Sequence, residues 1–278
     1  MLSGGGIWAT AAIGVLRALE EWGCQPDLVV GTSSGAIIGS LWAVGLPSSQ
    51  LMQMALSLTR RDVPVSWRNI GGQLLTQHRL PEALLDGAPL WQKIAPYLEK
   101  YTVSSVPRPL WVVATSLTDR APVVFGARPE IVKPGFLMGD DTVNLFTAVR
   151  ASSSVPGFFP PIVLNDQVLV DGGVGDDYPL DVAEMVGADR ALGLWIDEPA
   201  RWQLPSPRPH ALQVLVESMA VMIREISLLR QSRLLMPHLD LRIELSGHTV
   251  FERIGEIIEM GYLATVGSKA SIDQLFNE

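Results

Sequence analysis

The segment Gly31-Thr32-Ser33-Ser34-Gly35 constrains the fold of this chain more than any other, because it places a serine between two glycines at a sharp turn. Apolar residues 28–30 lead into the turn and predict a buried strand, and residues 36–44 leave it and predict a helix rich in small side chains. In such a strand-turn-helix unit the hydroxyl of Ser33 projects from the end of the sheet, where it can act as a nucleophile. The alternative is a loop serine that caps the following helix, a role open to Ser34 as well.

A second glycine-rich segment, Gly4-Gly5-Gly6, precedes a helix predicted over residues 10–22, where apolar residues recur every three positions. Backbone N–H groups at such a helix start can bind a developing oxyanion or a phosphate. Gly4, Gly6 and Ala9 also fit a dinucleotide-binding pattern, which requires an acidic residue at the end of the next strand. That strand ends in the serine turn instead, and the oxyanion interpretation accounts for both glycine motifs.

An activated serine needs a proton acceptor, and Asp171 is the best-placed candidate. Residues 168–170 predict a short buried strand before it, and Gly172 and Gly173 allow close approach of the backbone after it. An ordinary turn aspartate is the alternative. Partial burial would be needed to make this carboxylate an effective proton acceptor near neutral pH. The histidines all lie in loop-like, aperiodic or Pro-rich surroundings: His78, His210, His238 and His248.

Strand-like and helix-like segments alternate along the rest of the chain. Strands are predicted at residues 110–114, 123–125, 191–196 and 239–245, and helices at 143–149, 180–186, 210–235 and from 251 onward. This alternation predicts one α/β domain over residues 1–278, with a mostly parallel central sheet covered by helices on both faces. The motifs fall within residues 2–196, and residues 197–278 are predicted as a C-terminal extension of helices and a strand. Residues 60–79 have no clear period and are predicted as a loop or cap.

The composition limits which binding partners and which cellular location are expected for this chain. The net charge is −8 and no cluster of Lys or Arg occurs, which argues against nucleic acid as a partner. The single cysteine, Cys24, cannot form an intrachain disulfide, and no signal-like segment opens the chain, so a cytoplasmic protein is predicted. No apolar run approaches the ~18 residues of a membrane span, and any membrane contact is expected to be peripheral.

The helix predicted at residues 210–235 has two interpretations. Its apolar positions could form an interfacial face on a membrane or a face packed into the protein core, and the core is favoured because helical stripes usually bury. These positions are Leu212, Leu215, Met219, Met222, Ile223 and Ile226.

The chain resembles the patatin-like phospholipases at four places, in the order in which that family has them. Residues 3–6, Ser-Gly-Gly-Gly, resemble its glycine-rich oxyanion segment, and residues 31–35 resemble its nucleophile elbow. Residues 151–160, Ala-Ser-Ser-Ser-Val-Pro-Gly-Phe-Phe-Pro, are similar to its Ser- and Pro-containing block beside the active site. Residues 171–173 resemble its Asp-Gly-Gly box.

The resemblance implies a three-layer α/β/α fold related to the α/β hydrolases, with a Ser-Asp dyad and no histidine, metal or cofactor. Ser33 would attack the acyl carbon while Asp171 accepts its proton, and water would then release a fatty acid from the acyl-enzyme. The N–H groups of residues 4–6 would bind the oxyanion, with the N–H of Ser34 a further candidate. Four more glycines would support the two turns: Gly31, Gly35, Gly172 and Gly173.

Several positions depart from the family pattern. Trp8 and Ala9 stand where members usually have Arg or Lys followed by Gly, which predicts the loss of a cation beside the oxyanion segment. Asp177 stands where many members have Asn, which changes the hydrogen bonding after the Asp-Gly-Gly box. Only Met1 and Leu2 precede the glycine run, where the family has a hydrophobic strand, so either the start lies upstream or the sheet lacks a central strand.

Three functions are compatible with these residues. The leading hypothesis is a hydrolase of phospholipid, lysophospholipid or neutral acyl esters. The second is a catalytically impaired lipid-binding or regulatory protein, suggested by the departures. The third is a thioesterase or general carboxylesterase that uses the same two residues.

Overall fold

The computed structural model describes residues 1–66, 83–197, 211–244 and 251–277. The strands of this part of the chain are β1 Val29–Thr32, β2 Leu110–Ser116, β3 Ala121–Phe125, β4 Leu137–Met138, β5 Ile162–Leu164, β6 Gln167–Asp171, β7 Ala191–Asp197 and β8 His238–Glu244. Its α-helices are α1 Ala11–Glu21, α2 Ser33–Ala43, α3 Ser48–Leu56, α4 Ala88–Leu98, α5 Leu145–Ser152, α6 Gly173–Asp176, α7 Leu180–Met185, α8 Ala211–Gln231, α9 Ile254–Gly267 and α10 Lys269–Asn277. Short 3₁₀ helices span Gly6–Thr10, Arg60–Asp62 and Phe251–Arg253.

Strand β2 is the centre of the sheet, and all of its residues are buried. β3 pairs with it antiparallel along residues 112–116 and fills one edge. The other edge is shared: β1 pairs in parallel with residues 110–113, and β6 pairs antiparallel with residues 114–116. β1 and β6 therefore approach the same point of β2 from opposite directions.

The two faces of the sheet carry separate apolar clusters, as the alternation of side chains along a strand requires. Val112 and Ala114 face a cluster that includes residues of α1, α2, α5 and α9. Trp111 and Val113, the alternate residues of β2, face a second cluster with Leu180 and neighbouring residues of α7. The predicted three-layer α/β/α architecture is confirmed.

The sheet is mixed, which corrects the prediction of a mostly parallel one. β1–β2, β3–β4 and β7–β8 are parallel, whereas β2–β3, β2–β6 and β5–β6 are antiparallel. Two of the antiparallel pairs, β2–β3 and β5–β6, are hairpins of strands that are consecutive in sequence. In the β5–β6 hairpin the two turn residues, Asn165 and Asp166, both have positive φ angles, of 49° and 61°. This is the backbone of a two-residue turn that matches strand twist.

Leu2 connects the two halves of the sheet. It forms parallel bridges with Gly31 of β1 and with Leu194 of β7. The N–H of Leu2 donates to the carbonyl of Val30 at 2.9 Å, and the N–H of Ser3 donates to the carbonyl of Leu194 at 3.2 Å. Leu2 thus occupies the position between β1 and β7, and the sheet continues through it to β8.

Helix α8 carries apolar side chains both toward the protein and toward solvent. Met219, Ile223 and Ile226 are half-buried, whereas Leu215 and Met222 are 63% and 56% exposed. The favoured prediction of a core-facing stripe therefore holds for only part of the set, and the side chain of Leu212 lies outside the described residues.

Within the described ranges, no helix is both long and apolar enough to span a membrane. Of the predicted loop or cap at residues 60–79, positions 67–79 also lie outside the described part.

Two glycines let α9 contact α1 through the backbone. A Cβ atom added to Gly14 would lie 1.9 Å from the carbonyl oxygen of Ile258, and one added to Gly261 would lie 2.0 Å from that of Ala11. No side chain fits at either position, so α9 packs directly on α1, the helix that follows the glycine run.

Replacing Gly261 by alanine should reduce the free energy of unfolding by about 1 to 3 kcal/mol, because the new methyl group forces the two helices apart. The control is Gly255→Ala in the same helix, where the added Cβ meets only Leu56 Cδ2 at 3.5 Å. That change should stabilise the protein by up to about 1 kcal/mol through helix propensity. Chemical denaturation measures both, and an equal effect of the two substitutions would contradict the close contact.

Candidate active site

Ser33 lies at the sharp turn between β1 and α2. It is the first residue of α2, which begins three residues earlier than predicted, and its φ angle is +54°, a value that few non-glycine residues adopt. The turn is pressed against the N-terminal segment: a Cβ atom added to Gly35 would lie 2.4 Å from the carbonyl oxygens of Leu2 and Ser3. The side-chain oxygen of Ser34 has no hydrogen-bond partner among the described residues, and no side chain caps the start of α2, so neither serine has the capping role of the alternative interpretation.

The sheet brings Asp171 to this turn. Thr32, the last residue of β1, is paired with Val113, and Asp171, the last residue of β6, is paired with the adjacent Ala114. Because the two strands run toward each other along one edge of β2, their carboxyl ends meet. Ser33 and Asp171 are both buried, with 7% and 6% of their surface exposed.

Three consecutive serines fix the two strand ends to each other. The hydroxyl of Ser152 accepts the Ser33 N–H at 2.9 Å and donates to the carbonyl of Val113, while Ser153 donates to the carbonyl of Ser33 at 3.1 Å. The carbonyl of Ser154 accepts the Asp171 N–H at 3.0 Å. The Ser- and Pro-containing block thus fixes the positions of the serine turn and of Asp171 relative to each other.

The carboxyl group of Asp171 is held in a desolvated environment. Burial raises its pKa to about 7, and the negative charge of Asp177 adds to this increase. Hydrogen bonding from the Ser33 side chain and from the Gly173 N–H acts in the opposite direction, and the latter bond, to Oδ1, is 2.8 Å long. Oδ2 is buried and accepts no full hydrogen bond from the part of the chain that the structure describes, so it is available to accept a proton.

The glycine run lies beside Ser33. A Cβ atom added to Gly4 would be 3.3 Å from Ser33 Cβ, so the backbone at Gly4 faces the serine side chain. The N–H of Gly4 donates to the carbonyl of Asp177 at 3.3 Å. The N–H groups of Gly5 and Gly6, whose φ angles are +130° and +57°, donate to no described residue. Two backbone N–H groups that have no partner among the described residues therefore follow Gly4 directly in the chain.

The residues that depart from the family pattern lie close to this run. Asp177 Oδ1 would be 2.2 Å from a Cβ atom on Gly4 and 2.8 Å from one on Gly173, so its carboxylate contacts both glycine segments. Trp8 is buried, and the guanidinium of Arg253 lies 5.1 Å from its ring centroid. A residue distant in sequence therefore places a cation against the Trp8 side chain, while the loss of a cation beside the oxyanion segment stays a prediction.

His238 lies at the start of β8, opposite Ala191 at the start of β7, and therefore at the other end of these strands from the glycine run. The remaining three histidines lie outside the described residues: His78, His210 and His248. Within the ranges that the structure describes, no three His, Cys, Asp or Glu side chains are grouped to hold a metal ion.

Comparison with known proteins identifies relatives of this arrangement. The model of the patatin-like phospholipase family matches residues 1–184. Patatin-like phospholipase domain-containing protein 6 of Homo sapiens is 29% identical over 196 residues, which cover 70% of this chain and 13% of that protein. An uncharacterized NTE family protein of Mycobacterium tuberculosis is 27% identical over 182 residues, covering 66% of this chain and 27% of the relative. The chain thus spans a minor part of these relatives.

The same fold occurs in a solved structure of low sequence identity. The crystal structure of VipD from Legionella pneumophila superposes with a TM-score of 0.51 at 16% identity, over 97% of this chain and 66% of that one. At this level of identity the likeness concerns the fold alone.

Replacing Asp171 by asparagine should stabilise the protein at pH 8. The folded-state pKa of about 7 exceeds the ordinary value of 3.8, so the folded state binds more protons between these values and loses stability as the pH rises through that window. Removing the charge should raise the free energy of unfolding at pH 8 by roughly 2 to 4 kcal/mol, and the gain should shrink toward pH 4. Denaturant titrations at the two pH values measure the difference.

The control for this prediction is Asp141→Asn, at an exposed carboxyl group in the loop before α5. A surface substitution of this kind should change the stability by less than about 0.5 kcal/mol. If Asp171→Asn at pH 8 is no more stable than the unchanged protein, the buried carboxylate does not carry the desolvation cost inferred here.

Proposed function

This chain belongs to the patatin-like phospholipase family, and from that membership we propose that it is a serine acyl hydrolase that cleaves carboxylic ester bonds of lipids. The observation that carries the proposal is that the strand ends before Ser33 and at Asp171 meet at adjacent positions along β2, with Gly4 of the glycine run beside Ser33. A nucleophile, a base and oxyanion donors are the parts that acyl transfer needs.

In the proposed mechanism the Ser33 hydroxyl attacks the acyl carbon and its proton passes to the Asp171 carboxylate. The N–H groups of Gly5 and Gly6 stabilise the negative oxygen of the tetrahedral intermediate, with the Ser34 N–H at the start of α2 as a further donor. The intermediate collapses, the alcohol leaves with the proton from Asp171, and an acyl-enzyme remains on Ser33. Water then gives its proton to Asp171 and attacks the acyl carbon to form a second tetrahedral intermediate. This intermediate collapses, the bond to Ser33 Oγ breaks, and Asp171 returns the proton to Ser33 as the fatty acid leaves.

The environment of Asp171 supports its role as the base. A general base is most effective when its pKa is close to the working pH, and an unperturbed carboxyl group is too weak a base for that. Burial raises the pKa of Asp171 to about 7, close to the value that this role requires. Two of the hydrogen bonds that fix the serine turn come from the side chains of Ser152 and Ser153, which keep the nucleophile in register with the base.

Phospholipids, lysophospholipids and neutral acyl esters remain the proposed substrate class, and a thioesterase or general carboxylesterase would use the same two residues. The competing proposal is a lipid-binding protein with an impaired site. Its motivation is Asp177, which contacts Gly4 of the oxyanion segment where many family members have Asn. Labelling of the serine separates these two proposals.

Replacing Ser33 by alanine should abolish labelling by a fluorescent fluorophosphonate, because the reagent bonds to the activated hydroxyl. Asp171→Asn should slow labelling by roughly 10³-fold, since an amide cannot accept the serine proton. Ser34→Ala is the matched control, because the neighbouring serine is proposed to contribute only its backbone N–H. Gel fluorescence measures the labelling rate, and far-UV circular dichroism checks the fold of each variant.

Equal labelling of the unchanged protein and Ser33→Ala would refute the nucleophile. A folded protein that neither labels nor hydrolyses short acyl esters would favour the lipid-binding alternative.

The pH dependence of kcat/KM on a neutral acyl ester should show an acid limb near pH 7, because Asp171 must be ionised to accept a proton. Asp177→Asn should move this limb to lower pH, since the Asp177 charge raises the pKa of Asp171. Rates measured between pH 5 and 9, about two units on each side of the limb, give both midpoints. A limb that stays in place in Asp177→Asn would show that the two carboxylates do not interact.

A further inference from the structure

A pocket of about 460 Å³ lies between the C-terminal half of α8 and the segment around Phe136. Its apolar lining includes Phe136, Ile226 and Leu229. Its volume falls within the range of small-molecule sites. No step of the proposed mechanism uses this pocket.

Three cationic side chains and one carboxylate line the same pocket. Arg230 donates to Asp181 at 2.8 Å, and Lys133 pairs with Glu184. Arg233 lines the pocket as well, is exposed, and has no carboxylate partner among the described residues. The lining therefore offers one cation whose charge is not neutralised by any carboxylate in the described ranges.

We propose that this pocket binds a long-chain fatty acid, with its carboxylate on Arg233 and its alkyl chain against the apolar wall. An anion without an alkyl chain would leave Ile226 and Leu229 uncovered, and a neutral hydrocarbon would leave the charge of Arg233 unpaired. A guanidinium pairs well with a carboxylate, because its planar N–H groups match the two oxygens. The ligand is assigned from this lining and not from the proposed function, although that function would release the same class of molecule.

The pocket is connected to the candidate active site through residues 171–181. Asp181, which holds Arg230, adjoins the carboxyl group of Asp176, a fully buried residue at the end of α6. The carbonyl of Asp176 accepts the Thr32 hydroxyl at 3.0 Å, directly before Ser33. A ligand whose carboxylate pairs with Arg233 and whose alkyl chain displaces the neighbouring Arg230 would therefore act on a segment that contacts the serine turn.

The test is isothermal titration calorimetry with dodecanoate below its micelle concentration, on the full chain carrying Ser33→Ala so that no turnover contributes. We expect saturable binding that weakens by about tenfold or more when Arg233→Glu is added, since one charge-assisted contact is replaced by a repulsive one. Dodecanol and dodecyltrimethylammonium, which have the same chain without the negative charge, should bind about tenfold more weakly.

Matched control substitutions are available on α8 and just after its end. Arg224 is exposed on α8 and does not line the pocket, so Arg224→Glu should leave dodecanoate affinity within about twofold of the parent. Leu229→Asp should weaken binding, whereas Leu235→Asp, at a residue that is 91% exposed and outside the lining, should not. Circular dichroism and thermal melting establish that each variant is folded.

Three results would overturn the proposal. They are unchanged affinity in both Arg233→Glu and Leu229→Asp, dodecanol binding as tight as that of dodecanoate, and loss of binding on fluorophosphonate labelling of Ser33 in the unchanged protein. The last would assign the ligand to the candidate active site. If the unchanged protein does not label at all, the proposed function fails while the titration still tests the pocket.

Discussion

The shared edge of strand β2 is the constraint on which the candidate site depends. A strand edge presents one row of hydrogen-bonding groups, and here β1 uses its first half in parallel while β6 uses its second half antiparallel. Two strands that run toward each other along one line must end at a common point. The residues at their carboxyl ends, Ser33 and Asp171, are separated by about half of the chain in sequence and become neighbours for this reason.

Bringing Ser33 and Asp171 together is energetically unfavourable, and hydrogen bonds to backbone groups compensate for this. Ser33 adopts a positive φ angle, and Asp171 is a carboxyl group removed from water. Each feature is unfavourable by itself. The hydrogen bonds made by Ser152, Ser153 and Ser154 offset this cost, because they satisfy backbone groups of both strand ends within a buried frame. The reactivity proposed for the site would therefore come from groups that the fold holds in unfavourable states.

Sequence patterns predicted the features that are local. The serine turn, the strand before Asp171 and the alternation of helices and strands follow from spacing and glycine placement over a few residues. The mixed pairing of the sheet was missed, although Asn165 and Asp166 between two short apolar runs are a hairpin signal that the prediction did not use. The position of Leu2 between β1 and β7 could not be predicted, since one residue carries no periodicity. Nor could the cation near Trp8, because Arg253 reaches it through tertiary packing.

The acidic residues after β6 show why electrostatics is the least predictable part of such a site. Burial, together with the negative charge of Asp181, raises the pKa of Asp176 well above its usual range, and the positive charge of Arg230 acts in the opposite direction. Asp176 therefore favours its neutral form more than an exposed carboxyl group does, and the arginine on α8 pairs with Asp181. The charge of the segment after β6 thus depends on burial and on a helix far along the chain. A count of carboxyl groups in the sequence would overestimate it.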